Sequence, residues 1–288
     1  MLKKLAIVAV LVLIIVASLV GYAFFRTPEE ASAPIEAVPL RLENNEAAAV
    51  DAIEEATEPV VENDTQTETL VEQPVTETEA VVETQAAITE ESLPAAEVPA
   101  EQASITPTIF EIVPGESEAR FLINEVLRGD PITVVGATDQ VAGQLALDPA
   151  DLSNTQVGVM QVNARTLTTN NDFRNRAIKN RILLTDNYEF VTFSPTNIIG
   201  LPDKAAIGEL ITFQVSGDLT VTDVTQQVTF DITATPVSET RIEGTASAAF
   251  LYTDFNLAIP SAPAVDAVAD DVRLEIDFVA ETTGEVAG

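Results

Sequence analysis

The side chains able to carry out chemistry are few in kind, because the sequence contains no His and no Cys. Ser-His-Asp and Cys-His nucleophilic schemes and histidine-based metal sites are thereby excluded. The remaining candidates are carboxylates such as Asp266, Asp270 and Asp271, which lie in a Pro- and Ala-rich stretch that we predict to be a loop. Ca²⁺ needs about six or more oxygen ligands, so we interpret these carboxylates as solvated or at most as a weak calcium site. The sequence therefore predicts no enzymatic activity, no metal and no cofactor.

Basic side chains are concentrated in one short stretch of an otherwise acidic chain. Residues 109–288 contain ten Lys and Arg, and five of these fall within 17 positions: Arg165, Arg174, Arg176, Lys179 and Arg181. One interpretation is a solvated face paired with nearby acids, which is common on helices. The other is a binding site for an anionic head group at the mouth of a pocket. The sequence alone favours the first and leaves the second open.

The overall charge narrows the classes of partner. The sequence has 14 Lys and Arg against 46 Asp and Glu, and its net charge is -32. Such a chain would repel phosphate groups, so we expect no nucleic-acid partner. The same excess of charge favours solubility but does not specify a fold.

The first 26 residues predict a membrane anchor. Residues 5–25 form a run of 21 residues without a charge, and at about 1.5 Å per residue a helix of this length spans the roughly 30 Å hydrocarbon core of a bilayer. A cleaved signal is the alternative, but its apolar core is usually only about 7 to 15 residues long. Lys3 and Lys4 precede the run and only Arg26 follows it. This asymmetry predicts a single-pass protein in the cell membrane, with a cytoplasmic N-terminus and an extracytoplasmic, periplasmic or extracellular, C-terminal domain.

Residues 27–108 have the composition of a disordered linker. They contain 20 acids against one base, half of the 16 prolines, and no Gly or aromatic residue. Such a segment cannot bury enough apolar surface to offset its ordering entropy. We therefore expect a flexible acidic stalk that holds a C-terminal domain, residues 109–288, away from the membrane.

Alternating apolar and polar residues dominate the C-terminal domain. In residues 211–234, Ile211, Phe213 and Val215 alternate with polar residues, and the alternation resumes after a polar turn at residues 222–227. This period of two is typical of antiparallel strands with one dry and one wet face. Similar runs, at residues 109–113, 119–123, 132–135, 141–147, 157–162, 190–193, 242–252 and 272–279, predict an all-β antiparallel sandwich or barrel.

One segment lacks this alternation. Residues 170–184 contain good helix formers after Asn and Asp residues that can cap a helix start. At 100° per residue, Phe173 and Ala177 lie on a different face from Ile178 and Ile182. We therefore expect a short helix or two in this segment rather than one long amphipathic helix.

Several motifs of the domain resemble the YceI-like family. The hairpin Gly217-Asp218-Leu219-Thr220-Val221 with Val228-Thr229-Phe230-Asp231-Ile232, the helical segment and the strand from Tyr188 to Ser194 are similar to that family's own. The early strand from Val141 to Asp148 and the motif Thr253-Asp254-Phe255 also match, so the resemblance covers residues 110–279. The chain departs from the family pattern at Phe110, Asp223, Gln227 and Asn256, and it lacks the family's helical His.

This resemblance implies a lipocalin-like β-barrel that binds a polyisoprenoid or another long-chain, fatty-acid-like lipid in its lumen. The expected fold is an antiparallel barrel with one short helical segment, preceded by a transmembrane helix and a disordered linker. No catalytic residue is expected, and a homodimer is possible. The candidate ligand-binding residues are Phe121, Leu145, Leu147, Val159, Phe173, Arg174, Arg176, Lys179, Arg181, Ile182, Phe193, Phe213, Val215, Phe230, Phe255 and Phe278.

One alternative to ligand binding remains for this set of residues. Each apolar member could simply be part of a densely packed core, which only a measured cavity distinguishes from a binding site. In that case the domain would be a displayed structural or protein-interaction module on a flexible stalk, with no small-molecule ligand.

Overall fold

The structure, a computed structural model, describes only part of the chain. The described residues are 11–16, 18, 21–22, 26–40, 107–148 and 150–286. The predicted disorder of residues 41–106 and most of the predicted membrane anchor therefore lie outside the described residues. No helix in the described part of the chain is long and apolar enough to cross a membrane.

Antiparallel strands account for most of the described C-terminal domain. In chain order they are β1 (Thr108–Ile112), β2 (Glu118–Leu127), β3 (Asp130–Thr138), β4 (Val141–Ala142), β5 (Gln144–Asp148), β6 (Asp151–Val157), β7 (Met160–Asn163), β8 (Phe190–Ile199), β9 (Ile211–Val221), β10 (Val224–Ser238), β11 (Arg241–Leu251) and β12 (Val265–Val286). Every apolar run predicted as a strand overlaps one of them. Asp266, Asp270 and Asp271 lie in β12 rather than in the predicted loop, because this strand begins earlier than its alternating core.

The sheet curls because one short region pairs at two distant places. Strands β7 to β12 pair in chain order, and β12 continues through β1 to β5. Only Gly143 separates β4 from β5, yet β4 pairs with β7 at the other end of this path. β2 pairs with the first half of β12, and β3 pairs with β2. The prediction of an all-β, antiparallel, lipocalin-like fold with few helices is thus confirmed.

The alternation predicted for residues 211–234 is confirmed in β9 and β10. Val215, Leu219 and Phe230 are buried inside the curl. On the outer face, the amide of Gln214 donates a 2.7 Å hydrogen bond to Asp231 on the neighbouring strand. The strands therefore have one dry and one wet face.

The connecting turn is shorter than predicted. β9 runs to Val221 and β10 starts at Val224, so only Thr222 and Asp223 form the turn, not residues 222–227. Two-residue hairpin turns require left-handed backbone, which Thr222 supplies with a φ of 57°. The polar residues 225–227 belong to β10 and face solvent, so their polarity reflects the outer face of a strand and not a turn.

Residues 157–162, predicted as one strand, are divided between two. β6 ends at Val157 and β7 begins at Met160, leaving Gly158 and Val159 between them. The amide of Gly158 donates a 2.8 Å hydrogen bond to the carbonyl oxygen of Gln144. This bond continues the β5–β6 pairing by one residue, and Val159 lies in the short connection between β6 and β7.

The helical segment, residues 172–182, begins at an asparagine cap. An α-helix, α1 (Asp172–Ala177), continues directly into a π-helical turn, Ile178–Ile182. The side chain of Asn171 accepts hydrogen bonds from the backbone amides of Phe173 and Arg174 at 2.9 and 3.1 Å. The prediction of short helical pieces after a polar cap is confirmed.

The first part of the predicted linker is bound to the domain. Residues 26–40, here called the strap, form neither helix nor strand, and Ile35 within them is only 6% exposed. The backbone amide of Ser32 donates to Glu189 at 2.8 Å, and that of Leu40 donates to Gln144 at 2.8 Å. Long-range hydrogen bonds thus hold residues 27–40 of the predicted linker against the domain, and such bonds leave no periodic pattern in the sequence.

Arg165 joins the strap to the domain. Its Nε donates to the carbonyl oxygen of Thr185 at 2.9 Å, and its Nη2 donates to that of Asp186 at 3.1 Å. Its Nη1 donates to the carbonyl oxygen of Glu30 at 3.2 Å. The guanidinium also forms ion pairs with Glu29 at 2.9 Å and Glu189 at 3.1 Å. This base of the sequence cluster therefore has a structural role.

A close approach of β8 and β9 makes Gly217 sensitive to substitution. A Cβ atom there would collide with the carbonyl oxygen of Ser194 and lie 2.8 Å from the Phe193 ring. We predict that Gly217→Ala lowers the free energy of unfolding of the full chain by about 1 to 3 kcal/mol in urea titrations. The neighbouring outward-facing change Ser216→Ala serves as a control and should cost less than about 1 kcal/mol. Equal losses for the two variants would contradict this packing.

The contact between strap and domain should weaken in acid. Burial acts to raise the pKa of Glu189, but hydrogen bonds from Ser32 and Asn163 and the charge of Arg165 lower it overall below its ordinary value of 4.5. Because the folded pKa is lowered, its stabilising contribution is present above pH 4.5 and is lost as the pH falls through the folded value. We predict that hydrogen exchange at the amide of Ser32 accelerates in this acidic range after correction for intrinsic rates. Glu189→Gln should remove much of this pH dependence, and an unchanged profile would refute it.

Candidate functional site

A cavity of about 230 Å³ lies beneath the helical segment, at one end of the curled sheet. The cavity is partly open, and its walls come from β2, β3 and β7 to β12 together with the helical segment. Most of its lining is apolar: Ala119, Phe121, Ile123, Val134, Met160, Val162, Leu167, Ile178, Ile182, Leu183, Val191, Phe193, Leu219, Val221, Phe230, Phe250, Leu257, Ile259, Val268, Val272, Leu274 and Ile276. The polar residues in the lining are Arg120, Glu125, Arg174, Thr192 and Tyr252.

The walls follow from strand alternation. On β2, Phe121 and Ile123 face inward, and on β12 Leu274 and Ile276 do so. Their neighbours across the pleat, such as Glu275, face outward and pair with arginine. Successive side chains of a strand point to opposite faces, so a few strands supply a continuous apolar surface.

An aromatic pair forms part of the cavity wall. The rings of Phe193 and Phe230 meet edge to face with centroids 4.9 Å apart. Both side chains are buried, at 9% and 4% exposure. Such pairs contribute about 0.5 to 1.5 kcal/mol beyond their area burial, so this wall is firmly held.

The helical segment closes the cavity with one face. Arg174, Ile178 and Ile182 line the cavity and are spaced four residues apart, which places them on one side of a helix. Ile178 is 8% exposed, whereas Phe173 on another side of α1 is 70% exposed. The predicted division of this segment into two faces is confirmed.

One ion pair interrupts the apolar lining. Nη2 of Arg174 lies 2.8 Å from Oε1 of Glu125, and their side chains are 22% and 8% exposed. Nη1 of Arg174 also donates to Asn170 at 3.0 Å. The positive charge of Arg174 is thus compensated within the protein, and the pair presents almost no net charge to the cavity.

A second, smaller cavity of about 70 Å³ lies toward the opposite end of the sheet. Four of the predicted ligand-binding residues line this cavity rather than the larger one. They are Leu145, Leu147, Phe213 and Phe278. Alternation identified them as inward-facing, but it does not report how far along the curled sheet a residue lies.

The larger cavity receives five of the predicted residues: Phe121, Arg174, Ile182, Phe193 and Phe230. Three others line neither cavity. Val215 is fully buried in the core beside Phe193 and Phe230, and Phe255 packs against Phe250 with ring centroids 4.8 Å apart. Val159 lies between strands β6 and β7. For Val215 and Phe255, ordinary core packing is the better description.

The remaining predicted residues lie on the helical segment but outside the cavity lining. Phe173 is exposed, and the guanidinium of Arg176 lies 5.3 Å from the centroid of its ring. Burial lowers the pKa of Lys179 from its ordinary value. Arg181 is exposed. The predicted head-group cluster is therefore divided, with Arg174 in the cavity lining and the other three outside it.

Sequence reasoning missed Glu125 at the cavity. This residue follows Phe121 and Ile123 at the same period of two, so it occupies an inward position of β2. An acid on the dry face of a strand usually has a charged partner, because burying an unpaired charge is costly. An acid at an inward-facing position of β2 was the signal in the sequence that could have identified the ion pair between Glu125 and Arg174.

The carboxylates singled out as a weak calcium site do not converge. Asp266 accepts a 2.8 Å hydrogen bond from the backbone amide of Gly129, and Asp270 lies 3.5 Å from the hydroxyl of Tyr252. Within the described ranges, no group of three or more Asp and Glu is placed to hold a metal ion.

The ion pair at the cavity should be strongly coupled. Arg174→Met leaves Glu125 buried without its partner, so we predict a loss of about 2 to 4 kcal/mol in the free energy of unfolding. The double variant Glu125→Gln/Arg174→Met should recover at least about 1 kcal/mol of that loss. Urea titrations of the two single variants and the double variant measure the coupling. Additive losses would show that the two side chains do not interact.

One family of known proteins is similar to this chain. A family model described as the YceI-like domain matches residues 110–280. Among curated proteins, none matches the chain.

Solved structures with similar folds include a polyisoprenoid binding domain from Saccharophagus degradans implicated in plant cell wall breakdown. It is 14% identical, with 60% of this chain and 98% of that chain covered and a TM-score of 0.49. Burkholderia cenocepacia BcnA is 18% identical, with coverages of 58% and 98% and a TM-score of 0.47. The Campylobacter jejuni YCEI protein is 17% identical, with coverages of 51% and 84% and a TM-score of 0.43. Because the family model spans more than half of the sequence, from Phe110 to Ala280, the chain belongs to the YceI-like family.

Proposed function

We propose that this chain is a membrane-anchored, extracytoplasmic lipid-binding protein. Its larger cavity would hold the chain of a polyisoprenoid or a similar long-chain amphiphile. The proposal describes binding and transport rather than catalysis. It agrees with membership of the YceI-like family, whose resemblance implies this class of ligand.

The apolar cavity under the helical segment is the observation that supports this function. An apolar cavity of about 150 Å³ is already large enough to bind benzene in another protein, and this one measures about 230 Å³. A densely packed core would leave few voids larger than a water molecule. The space therefore favours a ligand over a purely structural domain.

The chemistry of the lining favours a hydrocarbon ligand. The charges of Glu125 and Arg174 compensate each other, and the surrounding walls are aliphatic and aromatic. At about 0.8 kcal/mol per buried methylene, roughly ten methylenes would contribute about 8 kcal/mol before the costs of binding are subtracted. A long-chain amphiphile supplies this apolar area without requiring a reactive group.

Membrane attachment is proposed from the sequence. Residues 5–25 carry no charge, and two lysines precede them. These features support a single span with the C-terminal domain outside the cytoplasm. Flotation of the full chain with vesicles and protease accessibility of the domain would test attachment and orientation separately.

A pair of matched variants tests the cavity. Val191 lines the larger cavity and Val157 lines the smaller one. We predict that Val191→Trp fills ligand space and weakens binding of geranylgeraniol about tenfold or more, whereas Val157→Trp leaves the affinity within about threefold of wild type. Displacement of dansyl-farnesol by geranylgeraniol from full-length protein in mild detergent, followed by dansyl fluorescence, measures the affinities of wild type and both variants, and urea titrations verify that both variants fold.

Mass spectrometry of lipids extracted from gently purified full-length protein identifies the natural ligand. A copurifying long-chain lipid, reduced in Val191→Trp but not in Val157→Trp, is the expected result. If no lipid copurifies and neither variant affects geranylgeraniol binding, the chain is better described as a displayed structural or interaction domain.

A further inference from the structure

The helical segment has a second face that the cavity does not use. Phe173 is 70% exposed there, and the guanidinium of Arg176 stacks 5.3 Å from its ring centroid. Lys179 and the exposed Arg181 follow, and Leu184 just beyond is 39% exposed. Exposed aromatic and aliphatic side chains among cations are typical of helices that lie in the head-group layer of a membrane.

This outward face is positive within a strongly negative chain. Asp172 is the sole acid between residues 172 and 184. Three neighbouring acids already pair with other bases: Glu125 with Arg174, Asp186 with Arg26, and Glu189 with Arg165. None of these three acids forms an ion pair with Arg176 or Lys179, so the charges of these two cations complement an anionic surface.

The strap connects this face directly to the predicted anchor. Arg26 is the first residue after the uncharged run of residues 5–25. Its backbone amide donates to the carbonyl oxygen of Tyr22 at 2.9 Å, and its own carbonyl oxygen accepts a 2.9 Å hydrogen bond from Nδ2 of Asn180. Its guanidinium pairs with Asp186. Arg26, the first residue after the apolar run, is therefore bound to the helical segment and to Asp186 just beyond it.

We propose that the outward face of residues 172–184 rests on the anionic surface of the membrane that residues 5–25 enter. The cavity, which the inward face of the same segment closes, then takes up its lipid directly from that bilayer. This inference rests on the proposed anchoring and lipid binding, and it replaces a domain held away on a stalk with one bound at the membrane surface.

The two ends of the strap lie at different parts of the domain. The acidic residues 41–106 follow the strap at Leu40, whose amide bonds to Gln144 on β5, and they re-enter the sheet at β1, which pairs with β5. Both ends of this segment are therefore attached beside β5, while Arg26 at the other end of the strap lies against the helical segment. The part of the chain that leads into the bilayer is the one adjacent to the outward face.

Single fluorescent labels test the orientation. The sequence contains no Cys, so Phe173→Cys and Glu239→Cys each provide one labelling site in the full chain. Position 239 lies in the β10–β11 turn, near the smaller cavity and away from the helical segment. In vesicles of phosphatidylcholine and phosphatidylglycerol that carry head-group quenchers, the label at position 173 should be quenched and the label at position 239 should not.

The outcomes separate this inference from the function on which it rests. If protein that floats with vesicles and contains lipid shows no quenching at position 173, the domain is not seated on the membrane, and only the present inference fails. A label at position 173 that is shielded from aqueous quenchers but not reached by lipid quenchers would show that residues 41–106 cover the face, and would equally overturn it. Failure to float or to bind lipid would overturn both proposals.

Charge variants test the contribution of the cations to lipid uptake. Arg176→Gln/Lys179→Gln should slow transfer of dansyl-farnesol from phosphatidylglycerol-containing vesicles into the full chain by about tenfold, and have little effect with phosphatidylcholine alone. Affinity for the same probe in detergent should not change, because neither side chain lines the cavity. Arg273→Gln, which removes an outer-face cation of β12, is the control and should transfer at the wild-type rate. Equal rates for the double variant and the control would overturn the role of the cationic face.

Discussion

The position of the helical segment over the cavity depends on one largely buried guanidinium group, that of Arg165. Arg165 follows β7 and is bonded to the carbonyl oxygens of Thr185 and Asp186, just beyond the helical segment. The same group holds Glu29 and Glu30 of the strap and Glu189 before β8. Each of its donors has an oxygen in reach, and planar arginine is well suited to such multiple contacts. Arg165 is therefore the common point of attachment of the helical segment, the strap and the sheet.

Most of the fold could be predicted from the sequence, because apolar and polar residues alternate along strands that have one buried and one exposed face. Val272, Leu274 and Ile276 show this period, and they lie on the inner face of β12 as expected. What alternation lacks is information about depth, which is why Phe213 and Phe278 line the smaller cavity instead of the larger one. Depth depends on strand register, and register is determined by pairing between residues far apart in sequence.

The candidate site was less predictable for a different physical reason. Composition indicated that the five bases belong together. The local sequence, however, hardly determines whether a charged side chain turns toward a buried acid, a carbonyl oxygen or solvent. Arg174 turns toward Glu125, Arg165 binds strap and loop, and Arg176 stacks on Phe173. The strap itself has no apolar period, since its contacts are mostly backbone hydrogen bonds to residues such as Asp186 and Glu189. Such contacts depend on tertiary structure and leave no local pattern.

The strap also changes what a break in the chain would do. Residues 41–106 connect the strap to β1, so a protease that cuts within them severs the covalent link between the N-terminal run and the sheet. The strap nevertheless remains bound through Ser32, Leu40 and Arg165. A nicked molecule would therefore persist as a noncovalent two-chain complex, and its two fragments would separate only when these contacts dissociate.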